Sequence, residues 1–217
     1  MIDFHSHILP EMDDGSQSVE MSQTMLRMEQ EQGVSGVIAT PHFYALQDRP
    51  EDFLQRRQAA VDALGETPIP MICGAEVAYF DGMGRCDELS PLRIGNTNLL
   101  LVEMPMAPWS YRVIDEVAGL PAATGLVPVI AHIDRYRPQL RKWGNFLLDQ
   151  GVLFQCNAQA FLQFGSRSWA LRQLALDRVR FLGSDCHNMT TRAPNLAAAA
   201  EVIRKKLGEH PLLEEEF

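Results

Sequence analysis

Residues 126–132 read LVPVIAH, an apolar run of strand length that stops at a histidine. A strand with no polar face is covered on both sides, as strands of parallel sheets are. Working outward, the same pattern recurs in both directions. Upstream lie short apolar runs at 1–4, 36–40 (GVIAT), 70–75 (PMICGA) and 98–103 (NLLLVE). Downstream lie 152–157 (VLFQCN) and 180–184 (RFLGS). Between them stand amphipathic stretches at 18–32, 50–64, 110–124, 138–150, 166–176 and 193–206, the first stopped by Gly33 and the second opened by Pro50. Residues 78–97 carry Gly82, Gly84, Pro91 and Gly95 and read as an irregular connection. Seven strands, most of them followed by a helix, make an α/β chain with a parallel sheet and helices outside it.

The residues at the strand exits favour a closed barrel over an open sheet. His5 and His7 come after the first strand, His42 after the second, Glu76 after the third, and Glu103 ends the fourth. His132 follows the fifth, and Asp185 and His187 follow the seventh. Of the six histidines only His210 is placed otherwise. Singly, a histidine or glutamate at a strand end is an ordinary loop or solvated residue. Together they describe one site, because the strand C-termini of a parallel barrel converge on one mouth. His-x-His and Asp-x-His at strand exits are the better local signals, since side chains two apart on extended backbone share a face. Asp13 and Asp14 offer a further carboxylate, with either residue chemically suitable. Imidazole and carboxylate together suit manganese, iron or zinc. Four carboxylates in one pocket are costly unless paired, so the charge count favours two to three divalent ions over one. Arg135 and Arg192 lie close after His132 and His187, placed to bind phosphate bidentately at the same mouth.

The 217 residues suit one domain, 1–217, with 46% hydrophobic residues for its core. A net charge of -9 argues against nucleic acid as a partner. The N-terminus lacks the basic and apolar regions of a signal peptide, and no apolar run is long enough to span a bilayer, so the expectation is a cytoplasmic protein with no direct membrane insertion. Cys73, Cys86, Cys156 and Cys186 form no CxxC pair and read as free thiols. Cys186 and Arg192 are spaced as C-x5-R, the pattern of a thiol phosphatase loop. The intervening HNMTT lacks the glycines that let loop amides turn toward phosphate.

In chain order, HSHILPEMDDG, ATPHF, GAEV, LVEMP, AHIDRY, QCNAQAF and GSDCHN resemble the polymerase and histidinol phosphatase (PHP) superfamily over roughly residues 1 to 205. Within it they are most similar to the bacterial manganese-dependent protein-tyrosine phosphatases of capsule and exopolysaccharide clusters. The resemblance implies a distorted (β/α)7 TIM-like barrel with a three-metal site. It implies metal ligation by His5, His7, Asp14, His42, Glu76, Glu103, His132, Asp185 and His187, with Asp14 chosen as the second Asp of DDG. It implies phosphate contacts from Arg135 and Arg192. The implied activity is phosphomonoester hydrolysis by a hydroxide between two ions, manganese before iron or zinc. The implied partner is an autophosphorylating tyrosine kinase as phosphotyrosine substrate; a small-molecule substrate such as histidinol phosphate is the alternative. Ile133 and Asp134 depart from the family's usual Pro and Glu, which leaves open how the loop carrying Arg135 sits.

Overall fold

A computed structural model describes residues 1–214, so the last three residues of the expected 1–217 domain lie outside the described residues. Within them the chain alternates strands and helices. The strands are β1 (Ile2–Ser6), β2 (Gly36–Ala39), β3 (His42–Phe43), β4 (Met71–Cys73), β5 (Glu76–Ala78), β6 (Leu99–Glu103), β7 (Val127–Ile130), β8 (Leu153–Asn157) and β9 (Phe181–Gly183). The helices are α1 (Val19–Glu31), α2 (Pro50–Leu64), α3 (Tyr111–Thr124), α4 (Arg137–Asp149), α5 (Ala158–Leu162), α6 (Phe164–Ala175) and α7 (Leu196–Leu207).

Every strand pairing is parallel. β2 with β3, and β4 with β5, are two strands each broken once. Pro41, which has no amide hydrogen, interrupts the first, and Gly74–Ala75 interrupts the second. Counted that way, the seven expected strands curl in chain order from β1 to β9. β9 returns beside β1, where the sheet thins to one bridge between Ser6 and Cys186. Asp185 N donates to His5 O at 2.8 Å and His7 N to Cys186 O at 2.9 Å across that seam. The result is a distorted barrel rather than an evenly closed one.

Several element bounds differ from the sequence reading. β1 runs on to Ser6, which puts His5 inside a strand rather than after it. β3 and α5 were not expected; two and five residues are too few to write a period. The last three long helices occupy Arg137–Asp149, Phe164–Ala175 and Leu196–Leu207 instead of 138–150, 166–176 and 193–206. Residues 78–97 hold the Glu76–Ala78 strand end and two short 3-10 turns, Met83–Arg85 and Asp87–Leu92.

Two apolar layers support the mouth. One fills the barrel interior: Phe4, Ile38, Leu101, Val129 and Ala131, with Phe4 stacked on Phe181 across the seam at 3.8 Å between ring centres. The larger lies between sheet and helices and includes Leu26, Phe53, Val117, Leu147 and Ile203. α1 begins at Ser18, whose hydroxyl accepts from Met21 N at 3.2 Å. No helix among the described residues is long and apolar enough to cross a membrane.

Candidate metal centre

The register of β1 against β2 slips between Asp3 and Ser6, a β-bulge. Ile2 and Phe4 point into the barrel layer, and Asp3 faces Glu29 of α1. The bulge shifts the alternation, so His5 and His7 both turn to the mouth. Their Nε2 atoms lie 3.1 Å apart, an arrangement that needs a proton or a cation between them.

All nine residues expected as ligands converge there. Glu76 is the hub, with Oε2 at 3.3 Å from His5 Nε2, 3.2 Å from His7 Nε2 and 3.1 Å from His42 Nδ1. Its Oε1 lies 2.8 Å from His132 Nε2, and Glu103 Oε1 is 3.7 Å from the same nitrogen. Asp185 Oδ1 stands 3.8 Å from His5 Nε2 and 3.6 Å from His7 Nε2. Asp14 Oδ1 reaches to 3.3 Å from His187 Nε2 and 3.6 Å from His42 Nε2. Donor atoms fall into three overlapping groups, each within 4.8 Å: His7, Asp14, His42 and His187; His5, His7 and Glu76; His42, Glu76 and Glu103.

The protonation pattern is that of a cation site. Burial works against the charge on Glu76, yet His5, His132 and His7 outweigh it and hold the carboxyl well below its usual range. Burial alone would lower His7; Asp13 and Glu76 reverse this and push it up to about 10. Asp185 is likewise held low against its burial by His5, His7 and Arg135. Burial and the charge on His7 bring His187 down to about 4, and burial lowers His42, so both imidazoles present lone pairs at neutral pH. His42 Nδ1, Glu76 Oε2, His132 Nδ1 and His187 Nε2 are buried and hydrogen-bonded to nothing. Buried polar atoms without partners are rare. The neutral imidazoles of His42 and His187 and the ionised carboxylates present free lone pairs. His5 and His7, held up against their burial by Glu76 and its neighbouring carboxylates, stand where a cation would replace their protons. This is a donor set that divalent transition ions take. The residues present therefore fit the group.

The two aspartates of the DDG segment separate. Asp14 is exposed at the mouth. Asp13 lies behind it and accepts from His42 N at 2.8 Å and Gly15 N at 2.9 Å, with Oδ2 at 2.6 Å from His7 Nδ1. That carboxylate–imidazole contact fixes the tautomer and tilt of His7. Gly15 is required in this turn, since a Cβ there would sit 2.2 Å from His7 O.

Arg135 and Arg192 both reach Asp185, Arg135 at 2.5 Å from Oδ2 and Arg192 at 2.7 Å from Oδ1. Beside them opens a polar cavity of about 450 Å³ lined also by Asn157 and Gln159. The loop of Arg135 is anchored despite its departure from the family's usual residues. Ile133 is fully buried, and Asp134 Oδ1 accepts from Asn157 N at 3.1 Å. Gln155 and Asn157 were missed as supporting residues. Gln155 Oε1 accepts from His132 N at 2.6 Å and lies 3.3 Å from His5 Nδ1. Asn157 Nδ2 donates to Asp185 Oδ2 at 2.8 Å. Their signal was available: in VLFQCN the polar residues stand two apart on one face of a buried strand. Cys186 is fully buried, with its thiol pushed up well above the ordinary range by burial and by Glu29 and Asp3, so it presents no thiolate to a substrate.

Comparison with known proteins gives these residues a family. Tyrosine-protein phosphatase CpsB of Streptococcus pneumoniae is 31% identical, over 96% of this chain and 91% of that protein. Tyrosine-protein phosphatase YwqE of Bacillus subtilis is 28% identical, over 96% of this chain and 85% of that protein. Among solved structures, one from work on YwqE and CpsB, described there as unique metal-dependent tyrosine phosphatases, superposes with a TM-score of 0.79 at 27% identity. It covers 98% of this chain and 90% of that one. The family model for capsular polysaccharide synthesis, CpsB/CapC, matches residues 1–214, and the chain belongs to that family.

Proposed function

We propose that this chain is a metal-dependent phosphomonoester hydrolase of the cytoplasm, a single domain that removes phosphate from tyrosine in protein. Its substrate in this reading is an autophosphorylating tyrosine kinase of polysaccharide synthesis. The names of its relatives support the activity. The observation that carries it is the overlap of three donor groups through His7, His42 and Glu76, with two arginines at their edge. Overlapping groups suit two or three neighbouring ions; five imidazoles with four carboxylates accept manganese, iron or zinc, and the family resemblance puts manganese first.

The ions would be held by three overlapping groups: His7, Asp14, His42 and His187; His5, His7 and Glu76; and His42, Glu76 and Glu103. His7, whose Nδ1 is taken by Asp13, would give its Nε2 to one ion only, and His132 and Asp185 would complete the set. Such ions supply Lewis acidity at the phosphoryl oxygens and lower the pKa of water. The chain's own part is positioning. Arg135 and Arg192 offer guanidinium hydrogens to the non-bridging phosphate oxygens and stabilise the charge of the transferring group. Asp185 holds both in place beforehand. Asp13 keeps His7 from rotating, and Gln155 holds His132 by its backbone. A phenolate leaving group, with a pKa of about 10, needs less protonation than an alkoxide. The test is to compare a phosphotyrosyl peptide with histidinol phosphate under manganese. The peptide is expected to have the higher kcat/KM; a strong preference for histidinol phosphate would move the chain to small-molecule chemistry.

A further inference from the structure

Beneath the mouth lies a second polar cluster that the proposed chemistry does not use. Asp3, Glu29, Ser184 and Cys186 are buried where β1, α1 and the end of β9 meet. Asp3 Oδ1 accepts from His5 N at 3.2 Å and from Ser184 N at 2.8 Å, and its Oδ2 accepts from the Ser184 hydroxyl at 2.5 Å. Ser184 Oγ in turn accepts from Cys186 N at 3.1 Å. Glu29 brings its carboxyl against Asp3 from α1. Three donors take most of the roughly four acceptor positions of a carboxylate. Asp3, Glu29 and Cys186 have donor atoms within 4.8 Å of one another, but the Asp3 oxygens are already engaged by these donors. The cluster has the form of a clamp.

What the clamp holds is Asp185. Its φ is 54°, in the left-handed region that few residues with a side chain enter, aspartate among those that tolerate it best. The turn is tied on both sides. Asp185 N donates to His5 O at 2.8 Å, and His187 N donates to Arg192 O at 2.8 Å. Two buried side chains grip this turn: His187 Nδ1 donates to Asp185 O at 2.9 Å, and Ser184 Oγ, accepting from Cys186 N, joins the residue before Asp185 to the residue after it. The close approach of the strands depends on the same place: a Cβ on Gly183 would sit 2.6 Å from His5 Cβ.

We propose that Asp3 and Ser184 are positioning residues: the Ser184 hydroxyl, bridging Asp3 and the Cys186 amide, fixes the left-handed turn that sets the Asp185 carboxylate against His5 and His7. The inference rests on the reading of those three as metal ligands. Supporting partners of ligands hold metal affinity at roughly 10–100-fold per contact.

Ser184→Thr and Ser184→Val have the same shape and differ only in the hydroxyl; Ser184→Ala removes the hydroxyl with no added bulk. Each is stripped of metal and titrated calorimetrically with Mn(II) alone, with folding followed by circular dichroism. Val and Ala are expected to weaken the binding of at least one ion by roughly 10–100-fold. Thr is expected to stay close to the wild-type protein, and the number of ions bound at saturation to stay the same. Should Val fail to fold, Ala against Thr decides. Variants with and without the hydroxyl that bind Mn(II) alike, while the wild type binds it, would overturn the clamp and leave the proposed function standing. Loss of one whole ion with the others unchanged would also overturn it, since the cluster would then be a cation site. A wild-type protein that binds no Mn(II) would defeat both readings.

Discussion

Adjacent aspartates divide the work at the edge of the mouth. Asp14 is exposed and faces His187 and His42, whereas Asp13 is withdrawn behind His7. Asp13→Asn keeps the shape but loses the charge that orients the imidazole, so Mn(II) affinity is expected to fall roughly 10–100-fold by calorimetry. At the opposite edge, Arg135→Ala removes one of the two guanidinium groups proposed to hold phosphate and is expected to lower kcat on an aryl phosphate by roughly 10²-fold. Unchanged rates would take Arg135 out of the machinery. Cys186→Ala is expected to keep aryl phosphatase activity and to lose about 1 kcal/mol of stability. An inactive but folded and metal-loaded variant would restore the thiol as nucleophile. At this scale the sequence was legible for the residues that bind and less so for those that hold. Histidines at strand exits are conspicuous. Asp13, Gln155 and Asn157 act through neighbours 6, 150 and 28 residues away in the chain, a pairing that only the fold reveals.

At the scale of elements, the seam between β1 and β9 does most to assemble the site. It brings His5 and His7 against Asp185 and His187 although the two segments are separated by nearly the whole chain. Gly183 makes the approach possible, and Gly183→Ala forces a Cβ into His5. That overpacking is expected to cost about 1–3 kcal/mol, read as a lower urea midpoint with an unchanged slope. Wild-type stability in this variant would mean that the seam is looser than its distances indicate. Buried parallel strands write apolar runs, which is why all seven were legible. The breaks at Pro41 and Gly74–Ala75, the bulge in β1 and the five-residue α5 were not, because each arises from fitting strands to their neighbours rather than from a repeating pattern. The bulge mattered most, since it places His5 within the strand and still turns it inward.

Over the whole molecule, the formal charge of -9 is concentrated in part at one mouth, where Asp14, Glu76, Glu103 and Asp185 meet. Against its burial, Asp13 and Glu76 push His7 up to about 10, which offsets some of it, and burial with the charge on Glu76 pushes the Glu103 carboxyl up. Ions that bind the folded chain alone stabilise it by mass action, about 2.7 kcal/mol at a hundred times Kd. Tm is therefore expected to rise with Mn(II) concentration, and a Tm indifferent to Mn(II) would argue against a site that exists only in the folded chain.

The central claim is that the clustered histidines and carboxylates act through divalent ions. Its most direct test is the hydrolysis of an aryl phosphate by protein exhaustively stripped with chelator, before and after Mn(II) is returned. Activity is expected to vanish on stripping and to return with Mn(II); full activity in verified metal-free protein would contradict the claim.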